Sequence, residues 1–434
     1  MGKSGDTKID NKDSGRIRLD HGVAKNGEAH RNRPRIALYS HDTMGLGHLR
    51  RNLLIAQSLT ESAIRATALL ITGAHEANFF SLPKGTDCLT LPRFQKDKTG
   101  RYVAGQLGIS VPDLVRLRSE SICSAMNVFQ PDVFIVDKVP TGAFGELLPA
   151  LRFLKQQLNT KCVLGIRDIL DSPKTVLAEW QDSESHKAIN EFFDEIWVYG
   201  DTQVYNPAKE YDWPLESEKK IRYTGYLNQT CRLSRSESKE TEHRSGFSKS
   251  SEQLIVCTLG GGQDGHALAH AFVDSLPDTG FQGVLLTGPF MPKELLRSLQ
   301  KVADDRPNLR VINFAAEADQ LISRADRVIA MGGYNTVCSL LTFQKPSLLV
   351  PRVLPRSEQW IRAQRLKQLG LVDVLHPDDL SPAAIKRWII SESHPPTKAS
   401  DVIDLNGLAC IEKLCRTLIS KSPQNQSKPS RELA

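Results

Sequence analysis

Arg327-Val-Ile-Ala330-Met331-Gly332-Gly333-Tyr334-Asn335-Thr336, continued by Ser347-Leu-Leu-Val-Pro351-Arg352 and by Glu358-Gln359, is the stretch on which the fold turns. Arg327–Ala330 predicts a buried strand. Glycines at 332 and 333 remove the Cβ that would hold the backbone away from a ligand. Asn335 or Thr336 is placed to cap the next helix, whose Val337, Leu340 and Leu341 share one face. That helix N-terminus aims free N–H groups and a positive dipole end above the turn, which suits a diphosphate. A second strand ends at Pro351-Arg352, with Glu358 and Gln359 in the loop beyond it. Ligands of open α/β sheets bind there, outside the carboxyl ends of the strands.

The same alternation spreads outward in both directions. Apolar strands are predicted at 36–39, 68–71, 133–136, 162–166 and 196–199, and again at 254–259, 284–286, 311–312 and 348–350. Helical patterns fill the gaps; after His48, for example, Leu49, Leu53, Ala56 and Leu59 line one face. Strand–helix alternation predicts parallel sheets covered on both sides. The pattern breaks at 231–252, which is rich in Ser, Glu, Lys and Arg and is expected to be a linker. The expected organisation is therefore α/β: one Rossmann-like domain at 34–230, a second at 253–400, and a closing helix at 401–420. Residues 1–33 and 421–434 are polar without periodicity and are expected to be disordered.

At 434 residues the chain is long enough for two domains with their own cores. Its net charge of +6 is concentrated at the ends. Residues 1–33 carry eight Lys/Arg against five Asp/Glu, and 421–434 carry three against one, leaving the body near neutral. A nucleic-acid face is not indicated, while basic tails leave open a peripheral pull toward an anionic membrane surface. No apolar run approaches the roughly 18 residues that span a bilayer, and the first residues lack the apolar core of a secretory signal. The eight cysteines show no C-x-x-C pairing and read as reduced core residues of a cytoplasmic protein.

Three loops carry candidate chemistry. Gly45-Leu-Gly47-His48-Leu-Arg50 follows the first strand. A dinucleotide fingerprint would need glycine where Arg50 stands and an acidic residue where the second strand runs into Thr72-Gly73, so that reading is rejected. His48 is instead a candidate general base or ligand, or a helix cap, with His41 and Asp42 as neighbours in the same turn. Asp137 ends a strand at the cleft edge, where it can orient His48, act as base, or cap a loop. Arg167-Asp168 ends the next strand; Arg167 offers a planar fork for an anionic acceptor group, or pairs with Asp168 or Asp171. Gly260-Gly261-Gly262-Gln263-Asp264-Gly265 opens the second domain, and three successive glycines there favour close approach to phosphate.

Four segments in this order resemble the family 28 glycosyltransferases: His41–His48, Gly260–Gly265, the Gly332 turn, and Pro351…Glu358-Gln359…Arg362-Ala363. The resemblance covers most of Arg35 to about Ser420. It implies a GT-B architecture, two Rossmann-like domains facing across a cleft, with a nucleotide-sugar donor in the C-terminal half and an acceptor in the N-terminal half. It places His48 near the reacting sugar, beside Gly45, Gly47 and His41. It places the diphosphate at Gly261, Gly262 and Gln263 and at Gly332, Gly333, Asn335 and Thr336, and the uracil edge at Phe314-Ala315. Glu358 and Gln359 would bond sugar hydroxyls. Ser339 stands where family members often carry a glutamate for the ribose, and Met331 where the peptidoglycan enzyme has an arginine.

The expected function is inverting transfer of a sugar from a UDP-sugar to a hydroxyl of a saccharide or lipid-linked acceptor, with His48 or Asp137 as base. Neither a metal nor a cofactor is expected, because no Asp-x-Asp motif stands at a suitable strand end. A UDP-sugar 2-epimerase or hydrolase on the same scaffold, or a non-catalytic nucleotide-sugar-binding module, would share the donor site, and fold alone does not choose among them.

Overall fold

The computed structural model describes residues 33–41, 46–96, 102–105, 107–182, 185–233, 252–314, 318–392 and 397–420. The tails, Asp42, Gly45, Ala315 and most of the 231–252 linker lie outside the described residues, so the expectations for them are not addressed by the structure.

Two parallel sheets organise the chain. The first holds β1 (Arg35–Ser40), β2 (Thr67–Thr72), β3 (Thr86–Thr90), β6 (Val133–Asp137), β7 (Lys161–Arg167), β8 (Glu195–Tyr199) and β9 (Ile221–Tyr223), in the spatial order β3-β2-β1-β6-β7-β8-β9. A small antiparallel pair, β4 (Gln95–Lys96) and β5 (Tyr102–Val103), lies outside it. The second sheet holds β10 (Gln253–Thr258), β11 (Phe281–Leu286), β12 (Leu309–Ile312), β13 (Arg327–Ala330), β14 (Ser347–Leu349) and β15 (Asp373–Val374), in the order β12-β11-β10-β13-β14-β15. The central strands are buried on both faces, as β6 and β8 are along their whole length, because helices cover each side.

The strand orders decide where a ligand can sit. In the first sheet the chain winds from β1 to β2 and β3 on one side, then returns to β6 on the other. The crevice between the carboxyl ends of β1 and β6 is therefore a topological switch point. Helix α1 (Gly47–Glu61) starts there, and Asp137 ends β6 there. The second sheet repeats the device between β10 and β13. The Gly260 loop follows β10 and leads into α2 (His266–Ser275), while the Gly332 turn follows β13 and leads into α4 (Tyr334–Phe343), with α3 (Ala318–Arg324) beside it. Both glycine loops thus arrive at one switch point.

Three expectations are corrected locally. Gly333, not Asn335 or Thr336, is the N-cap residue of α4, because both polar residues fall inside the first turn. Glu358 and Gln359 open a helix, α5 (Glu358–Gln368), rather than lying in a loop. The closing helix, α6, runs Gly407–Ser420, later than 401, after a short turn at Ala399–Val402. It packs against α1 of the first domain. Among the described residues no helix is long and apolar enough to cross a membrane.

Candidate active site

A cleft of about 1070 Å³, counting the part open to solvent, lies between the two switch points. Gly47, His48, Arg50, Arg51 and Arg167 line it from the first domain; Gly260, Gly261, Phe314, Asp319, Gly333, Tyr334, Asn335, Thr336 and Ser339 line it from the second. The N-termini of α1 and α4 meet at its floor, where the Asn335 amide donates to the Gly47 carbonyl at 2.9 Å. Neither helix has a side-chain cap, so the first-turn N–H groups of both remain available to an anion. A Cβ added at Gly333 would meet nothing within 4 Å, and one at Gly261 would touch only Phe290 at 3.5 Å. The protein itself leaves the space over both residues open. Gly262 differs: its φ is +85°, and a Cβ there would come within 2.3 Å of the Thr287 carbonyl. Its glycine is needed to close the loop on itself.

On the first-domain wall, His48 Nδ1 lies 3.3 Å from Asp137 Oδ2. Arg51, one helical turn beyond His48, donates to both Asp137 oxygens at 2.7 and 2.6 Å. Burial pushes the Asp137 carboxyl up, but Arg51 and His48 outweigh it and hold the group well below the usual carboxylate range. Asp137 is fully buried and lies outside the cleft lining, so it does not sit at the cleft edge expected of it and touches His48 from behind the wall. His41 packs against His48 with ring centroids 5.0 Å apart, and burial, then the neighbouring His48, lowers its pKa well below the ordinary imidazole value.

The floor is an ionic lattice joining the domains. Arg362 of α5 binds Asp168 through Nε at 2.8 Å and through a terminal nitrogen at 2.6 Å, and Tyr226 donates to the same carboxylate at 2.8 Å. Asp168 is thereby engaged within the protein and lies outside the cleft lining. The Tyr334 ring lies between the Arg51 and Arg362 guanidinium groups, 5.5 and 5.7 Å from its centroid. Arg356 and the Ser357 N–H both donate to Asp171 at 2.9 Å, so a first-domain carboxylate caps the start of α5.

At the far end, Asp319 of α3 accepts from Arg50 at 3.0 Å, from Arg232 at 3.4 Å, and from the Ser339 hydroxyl. Ser339 thus sits beside a carboxylate that comes from the neighbouring helix. Phe314 meets Phe80 of the first domain edge to face at 5.9 Å.

The sequence-predicted residues divide accordingly. Gly47, His48, Arg167, Gly261, Phe314, Gly333, Asn335, Thr336 and Ser339 converge on the cleft. Gly262, Gln263, Gly332, Glu358, Gln359, His41, Asp137 and Asp168 lie outside its lining. Gly332 has φ +87° and gives its carbonyl to Arg362 at 3.2 Å. The Gln359 side-chain oxygen accepts from the Arg352 N–H at 3.1 Å, and Glu358 pairs one oxygen with Arg352 at 2.8 Å while its buried Oε2 has no partner. Sequence reasoning missed Arg51, Asp319 and Tyr334. Arg51 carried a signal, three residues after His48 on the same helix face; Asp319 carried none, because only tertiary packing brings α3 to Ser339.

Residues 255–401 match the glycosyltransferase family 28 C-terminal domain. Over 159 residues the chain is 24% identical to the UDP-N-acetylglucosamine–N-acetylmuramyl-(pentapeptide) pyrophosphoryl-undecaprenol N-acetylglucosamine transferase 3 of Bacillus thuringiensis, covering 34% of this chain and 41% of that protein. It therefore spans less than half the length of that curated relative. Among solved structures, the UDP-GlcNAc 2-epimerase of Neisseria meningitidis bound to UDP-GlcNAc is similar at TM-score 0.57 and 12% identity, over 90% of this chain and 100% of that one. MurG of Acinetobacter baumannii is similar at TM-score 0.51 and 12% identity, over 90% and 99%. At such identities the likeness establishes the architecture, which is GT-B.

Proposed function

We propose, for a GT-B chain whose residues 255–401 match the glycosyltransferase family 28 C-terminal domain, inverting transfer of a sugar from a UDP-sugar to a hydroxyl of a saccharide or lipid-linked acceptor. The observation that carries the reading is the convergence of the Gly260 loop, two uncapped helix N-termini and His48, backed by the buried Asp137, on one cleft. Backbone N–H groups at Gly261 and at the start of α4 would hold the diphosphate and stabilise it as it leaves. Asp319, acting with Ser339, would take the ribose hydroxyls. His48 Nδ1 lies between Asp137, at 3.3 Å, and an Arg51 guanidinium nitrogen, at 3.1 Å; the tautomer that places the proton on Nδ1, toward Asp137, would leave Nε2 as the proton acceptor. It would remove the acceptor hydroxyl proton as the oxygen attacks the anomeric carbon and the bond to the diphosphate breaks. Asp137 then stabilises the imidazolium rather than acting as base. An acceptor carried on a lipid would put the protein at the cytoplasmic membrane surface as a peripheral partner.

Calorimetric titration with UDP tests the donor site. Wild type should bind one equivalent, and Gly261→Val and Gly333→Val should each lose binding while keeping the circular dichroism spectrum of the wild type, because a branched side chain would fill the space of a phosphate oxygen. Unchanged affinity in both variants would remove the assignment.

A further inference from the structure

Two cations at the carboxyl edge of the first sheet have no partner. Lys138 follows Asp137 at the end of β6, and Arg167 ends β7, the adjacent parallel strand. The strand ends are tied together, with Asp137 aligned to Gly165 and the Lys138 N–H donating to the Gly165 carbonyl at 2.8 Å. Among the described residues neither side chain makes a hydrogen bond or an ion pair. Arg167 Nε is buried and unsatisfied, and the residue lines the cleft with His48.

The carboxylates around them are already engaged. Asp137 is held by Arg51, Asp168 by Arg362, and Asp171 and Glu179 by Arg356. Glu358 acts on both cations through its field but is paired with Arg352 and reaches neither. Burial, then Arg167 and Arg356, push Lys138 down to about 8, and burial also lowers Arg167. Two half-buried cations whose neighbouring carboxylates are paired elsewhere are costly unless a ligand supplies a direct partner. A guanidinium fork beside an ammonium matches the oxygens of a carboxylate or phosphate. The diphosphate loops do not account for the pair, because those loops follow β10 and β13 of the other domain.

We propose that Lys138 and Arg167 form a subsite for an anionic group of the substrate, a carboxylate or a phosphate, at the first-domain edge of the cleft, where Arg167 lines the wall with His48 and Lys138 lies just outside the lining at the adjacent strand end. The proposal rests on the glycosyl-transfer reading of the cleft. The anion can arrive on the transferred sugar, as a uronate, or on the acceptor.

Calorimetry on the full chain separates these sources. If the donor carries the anion, UDP-glucuronate should bind at least about tenfold more tightly than UDP-glucose. If the acceptor carries it, inorganic phosphate should bind to protein already saturated with UDP. In either case Arg167→Gln and Lys138→Gln should each reduce the effect by about tenfold. The proposal is overturned if the wild type shows neither the uronate preference nor phosphate binding, or if the effect persists in both variants. Failure of UDP itself to bind would instead remove the donor-site reading. The phosphate arm is then run without UDP in the Gly261→Val background, where loss on adding Arg167→Gln still supports the subsite and no binding overturns it.

Discussion

Replacing His48 by alanine removes the one imidazole that both lines the cleft and is held by a buried carboxylate. Steady-state kinetics should show kcat lowered by about 10²–10⁴-fold, the usual worth of a general base, with little change in UDP affinity, since the loops proposed to hold the diphosphate belong to the other domain. Full retention of kcat would remove His48 from the chemistry. Asp137 plays a different part. Its folded pKa is below its unfolded value near 4, so its stabilisation is complete at neutral pH and is lost as pH falls through the folded value. Arg51→Ala would leave that charge buried and uncompensated, and chemical denaturation at pH 7 should show a loss of about 3–5 kcal/mol. A loss under about 1 kcal/mol would mean the pair is not shielded from solvent. Lys138 has the opposite sign. Its folded value, about 8, lies below the unfolded value near 10.4, so between them the unfolded chain binds more protons and stability rises with pH. Lys138→Met should therefore stabilise by about 1–3 kcal/mol at pH 7 in anion-free buffer and by much less at pH 10. An equal gain at both pH values would show that the ammonium is not destabilised by its surroundings.

At the scale of elements, the glycine loops divide into those that clear space for a ligand and those that let the chain close. Gly262→Ala belongs to the second kind. Its Cβ would press on the Thr287 carbonyl at a φ of +85°, so thermal unfolding should fall by several degrees before any ligand is considered. An unchanged midpoint would show that the loop shifts freely. The central strands were legible because each is a short apolar run between turn signals, and the observed bounds fall within one to three residues of the expected ones. The missed strands are edges or short pieces: Thr86–Thr90, Ile221–Tyr223 and Asp373–Val374 are partly exposed, so their sequences lack a continuous apolar signal. The helix starts were misread for a related reason. Asn335 has capping chemistry, but its amide is drawn to the Gly47 carbonyl at the cleft floor, a contact 288 residues away in sequence. Glu358 reads as exposed from its polar neighbours, yet the interdomain salt bridges around α5 bury it.

For the whole molecule, the two sheets are locked by charge as well as by apolar packing. Asp168–Arg362, Asp171–Arg356 and Asp319–Arg50 each join one domain to the other around the cleft. Of the three only Asp168–Arg362 is fully buried, and removing one partner of such a pair costs far more than the intact pair contributes. None of these pairings is visible in sequence, since the partners lie far apart along the chain. Arg362→Met would strand Asp168, and the expected outcome is a loss of about 3–5 kcal/mol in denaturant titration. A second effect should follow, a larger radius of gyration by small-angle X-ray scattering as the domains lose their register. Unchanged scattering with lost stability would confine the bridge to a local role. The central claim, that this cleft moves a sugar, is tested most directly by following UDP release from a panel of UDP-sugars with and without saccharide and polyprenyl-phosphate-linked acceptors. The expected result is release from at least one donor that depends on added acceptor, yields the inverted glycoside, and disappears in His48→Ala. Conversion of the donor to its 2-epimer without UDP release, or release indifferent to acceptor, would contradict it.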